Sequence, residues 1–459
     1  MDANIEDDNE DEQQTEQERI TAAAAARRKR LELISVLQRF DEIPSPSKNK
    51  TDELVDHFLV ELGDDNNNHT DEQLATTTEQ DQHAAAAARR AKRRRLISVL
   101  VEFDEIPSRS RNKTNGLVDH FLTELGDDVH MMLCAKKSHP DFDYHRGLDS
   151  GRDTEAEVEA IIRFFPHALS RNTYGDRDIS WCCHIKAVPF IPFLVRLAIQ
   201  LGLFEEQYRG GLLCEDIYAD NVLKRLMHNC DPKHPDADDK CLQVLLKLRG
   251  MGLLKKEDIQ SYALLNELCG QYYFFAEKRL RFLVEWDPNA LLHPTETGWL
   301  PIHSAAWRPS SSTQRFQLVF EYGIRYFPKK KGLSLLFKKN DYDNTPFQFA
   351  CIKFGDEKVM EVVEDTLAHW YASSDNTPPL DIEEALLSAA INENIHLDCV
   401  YFLLRRQPDM LQKLLLSASM TTIAEPNKNI DGDDGDDGND GVNNNNLLVT
   451  GTIKKRKRE

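Results

Sequence analysis

The sequence predicts an all-α fold: a solenoid of helical hairpins behind a duplicated N-terminal helix pair, with disordered termini. Three observations carry this. From about residue 153 to 417, apolar residues recur at three- and four-residue spacing, and strand-type alternation is nearly absent. Proline, glycine and asparagine cut that rhythm into hairpin-sized pieces. Residues 33–65 return at 96–128 with 26 of 33 positions identical, a shift of 63 residues.

The ends are too polar to bury a core. The first 18 residues hold nine acids and no base, and 431–440 holds six aspartates. Residues 1–20 and 418–459 are therefore expected to be disordered, and the Asn/Thr-rich linker 66–83 flexible. The chain has 459 residues and a net charge of -20, a balance that disfavours nucleic-acid binding by the body. Nine scattered cysteines without a C-x-x-C pair fit reduced thiols, hence an intracellular protein of cytoplasm or nucleus. The start is acidic rather than basic then apolar, so no secretory leader is expected. No stretch reaches the ~20 apolar residues of a membrane span.

The helix-pair copies span 21–65 and 84–128. In the first, Leu33, Ile34, Leu37 and Phe40 make one apolar stripe. Pro44 and Pro46 are expected to end that helix, and Thr51, Asp52 and Glu53 to start the next. Leu54, Val55, Phe58, Leu59 and Leu62 then share a face, and Gly63 ends it. A pair this small cannot stand alone securely, so it must pack on the body, its copy or a partner.

Further helices are expected at 155–165, 179–186, 189–201, 217–228, 240–251, 256–268, 274–286, 301–307, 313–322, 346–354, 357–371, 381–392 and 397–406. Within them, Gly298-Trp299-Leu300-Pro301-Ile302-His303-Ser304-Ala305-Ala306 stands out. Asp343-Asn344-Thr345-Pro346-Phe347-Gln348-Phe349-Ala350 is a looser copy. These stretches resemble the opening of an ankyrin repeat, G-x-T-P-L-H-x-A-A. Gly298, Pro301, His303, Ala305, Ala306, Thr345, Pro346 and Ala350 carry the resemblance. Leu300 replaces the usual threonine, Gln348 the histidine, and Asn344 the glycine. Pro301 to Pro346 is 45 residues, and the surplus over the family's usual period falls in a lysine-rich insertion at 325–340. The chain resembles divergent, lineage-expanded ankyrin-like families of microalgae more than the consensus form. The resemblance implies a stack that binds proteins and carries no chemistry of its own, with His303 as a structural residue.

Residue patterns assign no catalytic, cofactor or metal site. His228, Cys230, His234 and Cys241 are zinc-ligand types, but their spacing fits no closed site, and Cys182-Cys183-His184 is equally weak. No phosphate-loop, dinucleotide or nucleophile-elbow motif occurs. Three basic runs remain: Arg27–Arg30, Arg93–Arg95, and Lys454, Lys455, Arg456, Lys457, Arg458. The last follows the Asp/Asn tract and reads as a nuclear-import signal open to an importin.

The function expected is a non-enzymatic scaffold or adaptor that binds a protein through hairpin tips and inner helices. Trp299, Trp307, Arg308, Tyr342 and Asp343 are the contact candidates. The alternative is a nuclear regulator whose basic Ala/Arg helices touch nucleic acid while the stack recruits a partner.

Overall fold

The computed structural model describes residues 5–63, 79–106, 108–134, 147–170, 185–216, 219–228, 235–271, 275–307, 312–328, 330–373, 396–406, 409 and 412. By internal contact the chain divides into Met1–Leu403 and Leu404–Glu459, and nearly all the described residues belong to the first unit. That unit is all-α: no β-strand forms among the described residues, and none of their helices is long and apolar enough to cross a membrane. The expected helix 381–392 and the basic run Lys454–Arg458 lie outside the described residues.

Four helices build the N-terminal part: α1 (Ile5–Gln38), α2 (Ser45–Glu61), α3 (Glu79–Val101) and α4 (Ser108–Cys134). Several boundaries differ from those read in the sequence. α1 begins at Ile5, so most of the acidic lead lies within a helix. α3 begins at Glu79, inside the expected linker. Pro46 does not end α1; it opens α2, where a missing N–H costs nothing. Thr51 is buried inside α2 and donates its hydroxyl to the Ser47 carbonyl at 2.7 Å. Gly63 (φ +86°) follows α2, but its counterpart Gly126 lies within α4.

The two pairs interleave. α1 and α2 each pack on both α3 and α4, while the two helices of one pair scarcely touch. α2 and α4 run antiparallel, with Lys50 3.6 Å from Glu124 and Lys113 3.5 Å from Glu61. These contacts mirror one another under the 63-residue shift, and so do the others. Lys29 meets Asp119 at 3.0 Å, and Lys92 meets Asp56 at 3.0 Å. Arg30 lies 3.5 Å from the Phe103 ring centroid and donates to Asn115 Oδ1 at 2.7 Å. Arg93 lies 3.5 Å from the Phe40 centroid and pairs with Asp52. His57 faces His120 and Phe58 faces Phe121, each residue meeting its own counterpart. That marks a pseudo-twofold axis between the copies. One core joins them: Leu33, Leu37, Val55 and Phe58 from one copy, Leu96, Leu100, Val118 and Phe121 from the other. Full burial of each such side chain contributes roughly 1.5–3 kcal/mol.

α4 carries the chain into the body, burying Val129, Met132 and Leu133 there. The body holds α5 (Glu155–Phe164), α6 (Ile191–Gln200), α7 (Val222–His228), α8 (Ala237–Gly250), α9 (Lys256–Ser261), α10 (Leu264–Cys269) and α11 (Glu277–Trp286). α12 (Pro301–Trp307), α13 (Thr313–Tyr326), α14 (Lys330–Ser334), α15 (Pro346–Phe354), α16 (Asp356–Ser373) and α17 (Asp398–Arg406) complete it. One row of helices lies side by side: α7 on α10, α10 on α12, α12 on α15. Behind it α8 packs on α11, and α13 on α16.

Two expectations are corrected by these elements. The helix read from 217 begins only at Val222, because a turn at Asp216–Asp220 precedes it. The single helix read over 256–268 breaks at Ala263, which is left-handed at φ 48° and leads into α10. The lysine-rich insertion, given no element in the sequence reading, forms α14 and buries Leu333, Leu335, Leu336 and Phe337.

Two arginines are buried in the body. Arg279, fully buried in the first turn of α11, pairs with Asp238 of α8 at 2.8 Å and donates to the Leu226 carbonyl of α7. Arg315, in the first turn of α13, donates to the Gln271 carbonyl just beyond α10 at 2.6 Å. Both meet carbonyls at the end of a first-row helix, where the peptide groups lack internal partners and the dipole favours cations.

Candidate recognition surface

Three loops that lead into first-row helices share one geometry. The Asp216 N–H donates to the Asp220 carbonyl at 2.8 Å, Thr295 to Trp299 at 2.8 Å, and Asn340 to Asn344 at 3.0 Å. In each, the first side chain accepts from the amide four residues on: Asp216 Oδ1 at 2.9 Å, Thr295 Oγ1 at 3.2 Å, Asn340 Oδ1 at 3.0 Å. The fourth residue is left-handed in all three: Ala219 at φ 58°, Gly298 at 75°, Asp343 at 60°. Asp343, not Asn344, therefore takes the glycine position. Aspartate tolerates that conformation through its short polar side chain. The loop at Asp216 is a third copy that the sequence did not reveal.

The sixth residue of each loop, Asn221, Leu300 or Thr345, starts the helix. Asn221 Oδ1 accepts from the Lys224 amide at 3.0 Å, and Thr345 forms a capping box with Gln348. Leu300 has no side-chain oxygen to offer. Instead its own N–H donates to His303 Nδ1 at 3.0 Å. With Nδ1 accepting, the proton sits on Nε2, which faces the Asn344 carbonyl at 3.3 Å. His303 is fully buried, and burial lowers its pKa to about 4, so the neutral ring is the stable form. It ties one loop to the next. Gln348 reaches onward in the same way, its amide nitrogen 3.0 Å from Asp398 Oδ2 at the start of α17. Gly298 is required by contact as well as by φ: a Cβ there would sit 2.7 Å from Asp341 Oδ1. Ala305, Ala306 and Ala350 are fully buried, and Pro301 and Pro346 occupy first turns.

This frame presents an aromatic patch. Trp299, half-buried, stacks on Phe349 with centroids 5.2 Å apart and planes 22° apart. Trp307 meets the same Phe349 ring at 4.7 Å. The two tryptophans named from sequence are thus brought together, over a phenylalanine that was not named. The signal for Phe349 was present: it stands three residues after Pro346, where the first copy has Ser304. Trp307 and Ile352 hold equivalent places in α12 and α15, six residues past each proline, and are 49% and 78% exposed. Tyr342 is 66% exposed. Asp343 is exposed at its loop, with Lys339 at 3.7 Å. Arg308 lies outside the described residues.

Other candidates separate. His228 Nε2 faces Glu267 at 2.9 Å, and Cys241 is buried in α8. Cys230, His234, Cys182, Cys183 and His184 lie outside the described residues. Among the described residues no group of three or more His, Cys, Asp or Glu side chains could hold a metal ion. The Cys269 thiol is pushed up to about 12 by burial. Of the first two basic runs, Arg30 and Arg93 are engaged across the copies, while Arg27, Arg28 and Arg94 are exposed.

No protein-family model, curated protein or solved structure matches this chain.

Proposed function

We propose that this chain is a non-enzymatic scaffold or adaptor that binds a protein through an ankyrin-like stack of helical hairpins. Three observations support the stack: the repeated loop geometry, the side-by-side first row, and the His303 link between successive loops. The observation that carries recognition is the pair Trp307 and Ile352. Both are large, apolar and exposed at equivalent positions of neighbouring helices. A rigid base with bulky anchors in register is what a protein-binding face needs. The aromatic floor of Trp299 and Phe349 holds Trp307 in place and lowers the entropy cost of binding.

The test is a Trp307→Ala/Ile352→Ala double variant, expressed in the native cell beside the parent chain. The expected result is selective loss of a co-purifying protein from a chain that still folds cooperatively by circular dichroism. An unchanged set of co-purifying proteins would overturn the proposal.

Of the basic runs behind the nucleic-acid alternative, Arg93 is buried over Phe40 and Arg30 is partly covered by Phe103, while Arg27, Arg28 and Arg94 remain exposed.

A further inference from the structure

The N-terminal helices carry a second kind of recognition. α1 and α2 scarcely touch each other, and neither do α3 and α4. Each helix is covered chiefly by the helices of the other copy, with α5 and the turn after it adding a smaller contact through Phe164 and Phe165. A single pair therefore has no core of its own. The contacts that cover it are reciprocal: Lys29 with Asp119 and Lys92 with Asp56, Lys50 with Glu124 and Lys113 with Glu61. Arg30 on Phe103 and Arg93 on Phe40 follow the same rule. His57 and Phe58 meet their own counterparts at the axis. This is the arrangement of an isologous homodimer, in which one patch fits itself.

We infer that the tandem segment is a homodimer fused into one chain, and that each helix pair is a docking site for the helix pair of a second copy of this chain. In the intact chain the site is filled from within. When one pair is disabled, the other recruits its equivalent from another molecule. Each residue needed for that exchange is present in the second pair alone. Lys92 would meet Asp119, Lys113 would meet Glu124, and Arg93 would reach Phe103 and Asn115. The geometry leaves room for it. The body follows the C-terminal end of α4, beside the start of α2, where Ser47 Oγ lies 3.8 Å from Met132 Sδ. Because α2 and α4 are antiparallel, a second body would attach at the opposite end of the four helices.

The experiment uses the full chain. Phe58→Asp disables the first pair, and a His120→Cys substitution places a thiol at the axis. Light scattering of this variant is expected to give twice the chain mass of 52.7 kDa. A short bis-maleimide should link residue 120 to residue 120 between chains. A folded monomer without that link would overturn the inference. A second measurement is independent of that variant. Intact chains carrying His57→Cys and chains carrying His120→Cys are mixed, unfolded in urea and refolded together at high concentration. Interchain 57–120 links are expected after refolding and not on simple mixing. Their absence after refolding would also overturn the inference.

Discussion

Arg93 of the second helix pair lies over the ring of Phe40 in the first, 3.5 Å from its centroid, with Asp52 as its ionic partner. A run of arginines that reads as a phosphate contact is here part of a core. The guanidinium is nearly buried, so its cation–π and ionic contacts are both shielded from water. Arg93→Ala is expected to cost about 2–3 kcal/mol, because Asp52 would be left without this partner. Its mirror residue Arg30 is more exposed and meets the neutral Asn115, so Arg30→Ala is expected to cost only about 1 kcal/mol. Urea unfolding followed by circular dichroism gives the order, and an equal effect would contradict the asymmetry.

His303 makes the stack sensitive to acid. Its folded pKa of about 4 lies below the ordinary value of 6.5, so between these the unfolded chain binds more protons. Stability from this residue is full above pH 6.5 and falls as the pH drops toward 4, by roughly 3 kcal/mol in all. Thermal melts over that range should show the decline. His303→Gln should lower stability at neutral pH and flatten the slope.

Arg279 and Asp238 form an ion pair inside the body, the guanidinium wholly out of solvent. Removing one partner leaves a charge in the core, so Arg279→Ala is expected to cost about 3–5 kcal/mol. Arg279→Met with Asp238→Asn should recover part of that, since neither charge remains and the Asn side chain can still accept from the Lys278 amide. Melting temperatures of the single and double variants decide it.

The three loops rank by their left-handed residue. Gly298→Ala meets both an unfavourable φ and the Asp341 carboxylate, and should cost about 2 kcal/mol or more. Asp343→Gly relieves a left-handed residue in an open loop, and should be neutral or stabilising by up to about 1 kcal/mol. Chemical denaturation of the two variants should move in opposite directions or leave the second unmoved.

Much of this was legible in the sequence, for identifiable reasons. Gly298, Pro301 and His303 announce themselves because a left-handed turn, a first-turn proline and a histidine that accepts a backbone amide are specific requirements. The duplication was plain, but its interleaving was not. An apolar stripe says that a helix is covered, and the 63-residue shift does not say by what. The loop at Asp216 stayed hidden because Ala219, an unfavourable residue for φ 58°, holds the place of the glycine. There the Asp216 hydrogen bonds override local preference. Arg279 and Arg315 were invisible for a related cause. Arginine is read as a surface residue until its carbonyl partners, here 53 and 44 residues earlier, are known. Phe349 was missed because its partners Trp299 and Trp307 belong to the preceding copy.

The central claim is that the Trp307–Ile352 face binds a protein. A photo-crosslinking amino acid placed at Ile352 in the native cell tests it most directly, with the same group at exposed Val101 as the comparison. A discrete crosslinked protein from position 352, absent from position 101, is the predicted result. Identical crosslinks from both positions, or none from 352, would contradict it.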